Sequence, residues 1–242
     1  MGRKYRLSVL ALACLAGCAG SLRGAETPHI YGNMDATQRI DVMPDGHGSS
    51  VVLTEDGYLL TNFHVAGKGD LTLQVNISED GKPAVAYPAR VVATDEKHDL
   101  AVLKIDHHFD RTAVLSDISE AHPLDGVYNV GYPYALGRMA GKGAIKAVGW
   151  NYQDPDNPDI KVENGLALDI ADGPGTSGSG VYLTRDGKLI GLMRMIVCVV
   201  PKDDDGEPVV DGRQVTVRVA IPVDVIRAFL DRAHVRYRTS FP

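Results

Sequence analysis

The chain has 242 residues and a formal net charge of −6, with 44% hydrophobic and 23% charged residues. This balance is ordinary for a globular protein of one large or two small domains, and the negative charge argues against nucleic-acid binding, because acidic surfaces repel the phosphate backbone. The 26 glycines, the few aromatic residues and the short apolar runs separated by turn residues favour an all-β fold.

The N-terminal residues differ from the rest of the chain. Basic residues are followed by an apolar run that ends in LAGC at residues 15–18, which predicts a signal peptide over 1–17 rather than a buried N-terminal helix. The quartet resembles the bacterial lipoprotein box, in which the cysteine receives lipid. We therefore expect residues 18–30 to be a lipidated tether from Cys18 to a membrane of the bacterial cell envelope, facing the periplasm or the exterior.

Two groups of predicted strands follow, separated by a polar, proline-containing joint at 116–126. The apolar runs of the first group are 49–62, 71–94 and 100–105, and those of the second are 127–133, 142–151, 165–171, 180–197 and 214–222. One amphipathic helix is predicted after Pro222, because Val225, Ile226, Phe229 and Leu230 share a stripe. The pattern predicts two six-stranded β-barrels with a short C-terminal helix, the first over 31–120 and the second over 121–242.

His64 and Asp99 are candidate catalytic residues because of their positions next to predicted buried strands. His64 follows a predicted buried strand, and Asp99 directly precedes another. A carboxylate that enters an apolar strand needs a partner, because burying a lone charge is costly, and an imidazole N–H is a suitable one. In such a pair the carboxylate orients the imidazole and stabilises the charged form that follows when it accepts a proton.

The stretch GPGTSGSG, residues 173–180, is either a flexible turn or a loop that presents a serine nucleophile. Glycines let backbone N–H groups converge on a developing oxyanion. With His64 as base and Asp99 as its orienting acid, Ser177 would be the nucleophile, and the N–H groups of Gly175 and Ser177 would form the oxyanion hole. The chain order His, Asp, Ser is that of the chymotrypsin arrangement.

Three other features have simpler interpretations. Cys198 lies in an apolar run without a second cysteine to pair with once Cys14 is removed and Cys18 is lipidated, so we expect a small buried hydrophobic residue and no disulfide. The pair His107 and His108 has no third ligand at a suitable spacing, and the acidic segment 202–212 lacks the spacing of a calcium loop. We expect solvated loops at both, and no metal or cofactor.

Five segments together resemble successive blocks of the Deg/HtrA-type trypsin-like serine proteases. In order they are GHGSSVVLTEDGYLLTNFHVAG, HDLAVLKID, VYNVGYPYALGRMAGKGAIKAVG, GPGTSGSGVYLTRDGKLIGL and VRVAIPVDVIRAFL, across roughly residues 45–232. The resemblance implies a double-barrel serine endopeptidase that acts on protein or peptide substrates with His64, Asp99 and Ser177 as its triad. It selects Ser177 over Ser179, and the chain's end after the helix leads us to expect no PDZ domain.

The resemblance also places a specificity pocket, and here the sequence departs from the family. Ala171 stands at the position of the pocket floor, Asp172 follows it, and Arg218 replaces a glycine of the opposing wall; Ser179 in the nucleophile motif is more similar to glutamyl endopeptidases. Arg218 would either bind a substrate carboxylate or pair with Asp172 and shorten the pocket for small aliphatic residues. A basic preference would require a free Asp172.

Two other functions remain compatible with these residues. The fold could be a peptide-binding module without turnover, or the site could act as an esterase on small acyl substrates, since a fold alone does not determine function. The presence of all three triad residue types favours the endopeptidase.

Overall fold

The computed structural model describes residues 27–67, 72–78, 83–199 and 215–241. The expected signal peptide, Cys18 and the acidic segment 202–212 lie outside these ranges, as does most of the expected tether. In the part of the chain that is described, no helix has the length and apolar character to cross a membrane.

The first barrel is a closed, antiparallel ring of six strands in the order β1-β2-β3-β6-β5-β4. Its strands are β1 (Thr37–Val42), β2 (Gly46–Val52), β3 (Tyr58–Thr61), β4 (Leu73–Ile77), β5 (Val85–Asp95) and β6 (Leu100–Lys104). Ile40, Val52, Leu59 and Leu103 fill its core. Gly57 at φ 94° makes the β2–β3 turn, where a Cβ would lie 2.5 Å from the carbonyl oxygen of Ile105.

The second barrel closes in the order β10-β11-β12-β9-β8-β7. Its strands are β7 (Gly126–Gly131), β8 (Met139–Gln153), β9 (Lys161–Ile170), β10 (Gly180–Leu183), β11 (Leu189–Val199) and β12 (Val215–Pro222). Burial rises along β12 from the exposed Val215 to the buried Val219, because β12 pairs with β11 over its full length but with β9 only at Arg218–Ala220. The prediction of two six-stranded barrels is confirmed. The prediction that Cys198 is buried is wrong: it is exposed on β11, in the part of that strand that extends beyond the pairing with β10.

Three α-helices accompany the barrels among the described residues: α1 (Thr27–Asp35), the one-turn α2 (Phe63–Ala66) and α3 (Val223–Arg232). The predicted helix is α3, which follows Pro222 and buries Val223, Ile226, Phe229 and Leu230. α1 was not predicted from the sequence: it begins inside the segment expected to be a tether, has no amphipathic stripe and is held by long-range contacts. Asn33 of α1 donates to the Tyr128 hydroxyl at 2.7 Å and to the Gly187 carbonyl at 2.8 Å, on the second barrel.

Candidate active site

His64 and Asp99 meet on the first barrel. His64 lies on α2, directly after β3, and Asp99 lies just before β6. The His64 Nδ1 atom is 2.9 Å from Asp99 Oδ2 and 3.1 Å from Oδ1, while the His64 backbone N–H donates to Oδ1 at 2.9 Å. A ring whose Nδ1–H donates to a carboxylate keeps Nε2 as its acceptor. The imidazole is thus oriented as a general base requires.

The backbone of Asp99 is held as firmly as its side chain. Its carbonyl oxygen accepts from the Phe63 N–H and from Asn62 Nδ2, each at 3.1 Å. Its φ is 58°, a left-handed conformation that aspartate adopts more readily than most residues. The Asp99 side chain is 12% exposed and that of His64 48% exposed, so the carboxylate is sheltered while the imidazole reaches solvent.

The loop with the two serines leaves β9 and enters β10. Gly175 has φ 99° and Gly178 φ 82°; a Cβ would lie 2.5 Å from the Tyr132 carbonyl oxygen at the first and 2.2 Å from the Ser49 carbonyl oxygen at the second. Only glycine fits both the dihedral angles and the space. The side chain of Ser179 is buried, whereas Ser177 borders a cavity.

Two N–H groups of this loop remain available. The N–H groups of Thr176, Gly178 and Ser179 donate to the carbonyls of Gly173, Met193 and Thr176 respectively. Within the described part of the chain, no such bond involves the N–H of Gly175 or Ser177. The Pro174 carbonyl accepts from the Tyr134 N–H at 2.6 Å, which fixes the peptide that precedes Gly175.

The two halves come together at Gly48 of β2. A Cβ there would lie 2.6 Å from Val65 Cγ1, the side chain next to His64, and 3.3 Å from the Ser177 carbonyl oxygen. That oxygen accepts from the Ser49 N–H at 2.8 Å. In the ranges described, no hydrogen bond joins Ser177 Oγ to His64, and contacts of this kind often tighten only when substrate binds.

A cavity of about 210 Å³ lies beside Ser177. Its lining comes from the serine loop and β11: Asp172, Gly173, Pro174, Thr176, Ser177, Met193, Arg194, Met195 and Ile196. Ala171, the predicted floor residue, is exposed and is not part of this lining. None of the four β11 residues of this lining was predicted from the sequence to belong to the site.

Arg218 forms an ion pair with Asp172, which lines the cavity. Arg218 Nε donates to Asp172 Oδ1 in a short hydrogen bond, and Thr176 Oγ1 donates to Oδ2 at 3.2 Å. The Arg218 side chain is 20% exposed and that of Asp172 is 2% exposed. Arg218 is not among the residues that line the cavity. Both charges are therefore neutralised within the protein.

Two further residues of the site were missed. Ser49 Oγ donates to the Gly175 carbonyl at 2.8 Å and accepts from the Tyr132 N–H at 3.0 Å, so it fastens the serine loop to the first barrel. Arg194 Nε lies 3.5 Å from Asp99 Oδ2. A lone charge in an otherwise apolar strand was the available signal for Arg194, whereas serine in a turn-rich segment gives none.

Comparison with known proteins agrees with this architecture. Residues 48–192 match the family described as trypsin-like peptidase domain. The chain is 29% identical over 226 residues to a probable periplasmic DegP-like serine endoprotease of Halomonas elongata, covering 88% of this chain and 43% of that protein. It is 28% identical over 184 residues to serine endoprotease DegS of Haemophilus influenzae, covering 76% and 50%.

Solved structures share the fold. The crystal structure of Deg5 superposes with a TM-score of 0.64 at 19% identity, covering 84% of this chain and 90% of that one. The serine endoprotease from Yersinia pestis gives 0.62 at 23% identity, covering 87% and 66%. The chain spans half or less of the length of the two curated relatives named above. By the match over residues 48–192, the chain belongs to the trypsin-like peptidase domain family and is related to the Deg/HtrA serine endoproteases.

Proposed function

We propose that the protein is a serine endopeptidase that cleaves peptide bonds through an acyl-enzyme, with Ser177 as nucleophile, His64 as base and Asp99 as the group that orients the base. The observation that carries the proposal is the carboxylate of Asp99, which accepts from both the ring and the backbone N–H of His64. This arrangement turns Nε2 away from Asp99, as proton transfer from a serine requires.

In the proposed reaction, Ser177 Oγ attacks the carbonyl carbon of the scissile bond and its proton moves to His64 Nε2. The negative charge that develops on the carbonyl oxygen is stabilised by the N–H groups of Gly175 and Ser177, which are free of backbone acceptors among the described residues. The intermediate collapses, the C–N bond breaks and His64 returns the proton to the leaving amine. Water then releases the acyl group by the same steps in reverse order.

An unpaired strand edge supports an extended peptide as the substrate. Residues Met195–Val199 of β11 pair with Val215–Val219 of β12 on one side. On the other side, β10 pairs with β11 only as far as Leu192, and the loop adds contacts at Met193. In the described ranges the rest of that edge has no strand neighbour. A substrate strand would bind there by main-chain hydrogen bonds.

The ion pair between Asp172 and Arg218 supports a preference for small aliphatic residues before the cleaved bond. Asp172 has its charge satisfied and is not free to bind lysine or arginine. Arg218 is engaged as well, so it is not free for a substrate carboxylate. The side chains of Met193, Met195 and Ile196 make the facing wall apolar. A cavity of about 210 Å³ accommodates a short aliphatic side chain.

We also propose that the protein works in the bacterial cell envelope, attached through lipid on Cys18. The LAGC quartet supports this location, as do relatives named periplasmic serine endoproteases. Replacing Cys18 with serine should release the protein from the membrane fraction or block its processing. Wild-type protein that begins at another residue and fractionates as unlipidated soluble protein would contradict the anchor.

Cleavage of a peptide library by the purified protein tests the function. We expect cuts after small aliphatic residues by the wild type and none by the Ser177→Ala variant. Peptides that bind without being cut would favour the binding module, and hydrolysis of acyl esters without peptide cleavage would favour the esterase. Cuts mainly after lysine or arginine would refute the pocket assignment and leave the triad standing.

A further inference from the structure

Arg194 is the only charged residue of β11, whose other residues are apolar or glycine. It lies at a β-bulge, where the pairing with β12 shifts between Met193 and Met195. A bulge inserts one residue without a ladder partner and redirects its side chain, and such bulges are frequent beside active sites. Here the redirected side chain is 29% exposed and extends to the carboxylate of Asp99.

The contact with Asp99 supplies charge without adding a hydrogen bond. Arg194 Nε lies 3.5 Å from Asp99 Oδ2, the oxygen that also lies 2.9 Å from His64 Nδ1. Across the described residues, the hydrogen bonds of the Asp99 carboxylate come from His64 alone. The orientation of the carboxylate is therefore fixed without Arg194, whose guanidinium acts on it through the Coulomb interaction.

We propose that Arg194 is a positioning residue that acts through Asp99 and lowers the rate of catalysis. This inference rests on the proposed function. During acyl transfer His64 becomes positively charged, and the negative charge of Asp99 stabilises that form. A permanent positive charge beside the same oxygen offsets part of that stabilisation. Arg194 thus opposes the positive charge that builds up on His64 during the reaction, which slows proton transfer from Ser177.

Two of the other charged groups around this point, Asp95 and Lys161, have partners of their own. In the turn before Asp99, the Asp95 carboxylate pairs with His98 Nδ1 at 2.8 Å and with Arg232 Nη2 of α3 at 2.7 Å. Behind Arg194 lies a cleft of about 240 Å³ whose charged lining consists of Lys97, His98, Asp159, Lys161, Glu163 and Arg194 itself. Lys161 pairs there with Glu163. Arg232 is thus a matched control: a neighbouring arginine that pairs with Asp95 instead of Asp99.

The test compares kcat and the pH profile of kcat/KM for the wild type, Arg194→Met, Arg194→Lys and Arg232→Met, using a peptide that the wild type cleaves. For Arg194→Met we expect kcat above the acid limb to rise by about two- to tenfold. The acid limb should move to higher pH by about half a unit to one unit. Arg194→Lys, which keeps the positive charge, should return the acid limb to its wild-type position, and Arg232→Met should stay close to the wild type in both quantities. If Arg194→Met does not fold, Arg194→Gln replaces it.

The possible outcomes separate this inference from the proposed function. A folded Arg194→Met variant with unchanged or lower kcat and an unmoved acid limb would overturn the restraining role while leaving an active peptidase. The same rise in Arg232→Met would overturn it as well, since the effect would then be one of general surface charge. A wild type that cleaves no peptide would overturn the proposed function and this inference together.

Discussion

The two sides of the candidate site are held in different ways. On the first barrel, hydrogen bonds to one carboxylate orient His64, so the geometry depends on the identity of two side chains. On the second barrel, the loop of Ser177 is shaped by left-handed glycines and by backbone hydrogen bonds. The position of the proposed base therefore depends on residue type, whereas that of the proposed nucleophile depends on backbone conformation and on the hydrogen bond from Ser49 of the first barrel.

The largest loss of kcat is expected from substituting Ser177 or His64, between which the proposed reaction transfers a proton. Ser177→Ala and His64→Ala should each lower kcat by several orders of magnitude, as groups that act as a unit do. Ser179→Ala is the control, because the Ser179 side chain is buried and away from the cavity, and it should keep most activity in a steady-state peptide assay. An inactive Ser179→Ala beside an active Ser177→Ala would reverse the assignment.

A smaller but still large loss should follow from a backbone change on the serine side. In Gly178→Ala, the new Cβ would lie 2.2 Å from the Ser49 carbonyl oxygen at φ 82°, so the loop must shift. A displacement of about 1 Å in an active site costs roughly 100-fold in rate, to be measured as kcat/KM. Gly137→Ala is the control, with φ 116° but no atom within 4 Å of the new Cβ. Equal losses of kcat/KM in Gly178→Ala and Gly137→Ala would show that the clash with the Ser49 carbonyl oxygen is not the cause.

The contact between the barrels should matter less. Ser49→Ala leaves the Gly175 carbonyl and the Tyr132 N–H without this partner, and we expect about a tenfold loss of kcat, the worth of a buried hydrogen bond of about 1.4 kcal/mol. Ser50→Ala, which removes a hydrogen bond to the Gln38 carbonyl in the same barrel, should leave kcat unchanged. If Ser50→Ala lowers kcat as much, strand stability rather than loop attachment explains the effect.

The smallest effect concerns the turn that carries Asp99. Burial raises the pKa of Asp95, but the hydrogen bonds from His98 and the charges of His98 and Arg232 outweigh it, so the pKa lies below its ordinary value of 3.8. A lowered carboxyl pKa stabilises the fold above the unfolded-state pKa, and this stabilisation is lost as pH falls through the folded-state value.

Asp95→Asn should therefore lower the melting temperature at pH 7 by a few degrees, equivalent to about 1 kcal/mol or less. The difference from the wild type should shrink below about pH 4. Asp110→Asn, at a carboxylate that is 96% exposed, should change nothing at either pH. If the melting temperature of Asp95→Asn stays below that of the wild type by the same amount at low pH, the ionised carboxylate is not the source of the difference.

Features that depend on local pattern were predictable from the sequence. The strand runs, the glycine turns and the amphipathic stripe of α3 follow from periodicity, and chain order with five motif blocks indicated His64, Asp99 and Ser177. The features that were missed depend on distant partners. α1 depends on the contacts of Asn33 with the second barrel, and the side chain of Arg194 reaches Asp99 because a bulge redirects it. The contacts of Asn33 leave no local signature, and the lone charge of Arg194 in its apolar strand does not reveal that its partner is Asp99.

The most direct test of the central claim is to find which atom is acylated. A fluorophosphonate probe reacts with a serine that a neighbouring base activates, and peptide mapping by mass spectrometry locates the adduct. We predict an adduct on Ser177 in the wild type and in Ser179→Ala, a strongly slowed reaction in His64→Ala, and no adduct in Ser177→Ala. An adduct on Ser179, or labelling that survives in Ser177→Ala, would contradict the assignment of Ser177 as the nucleophile.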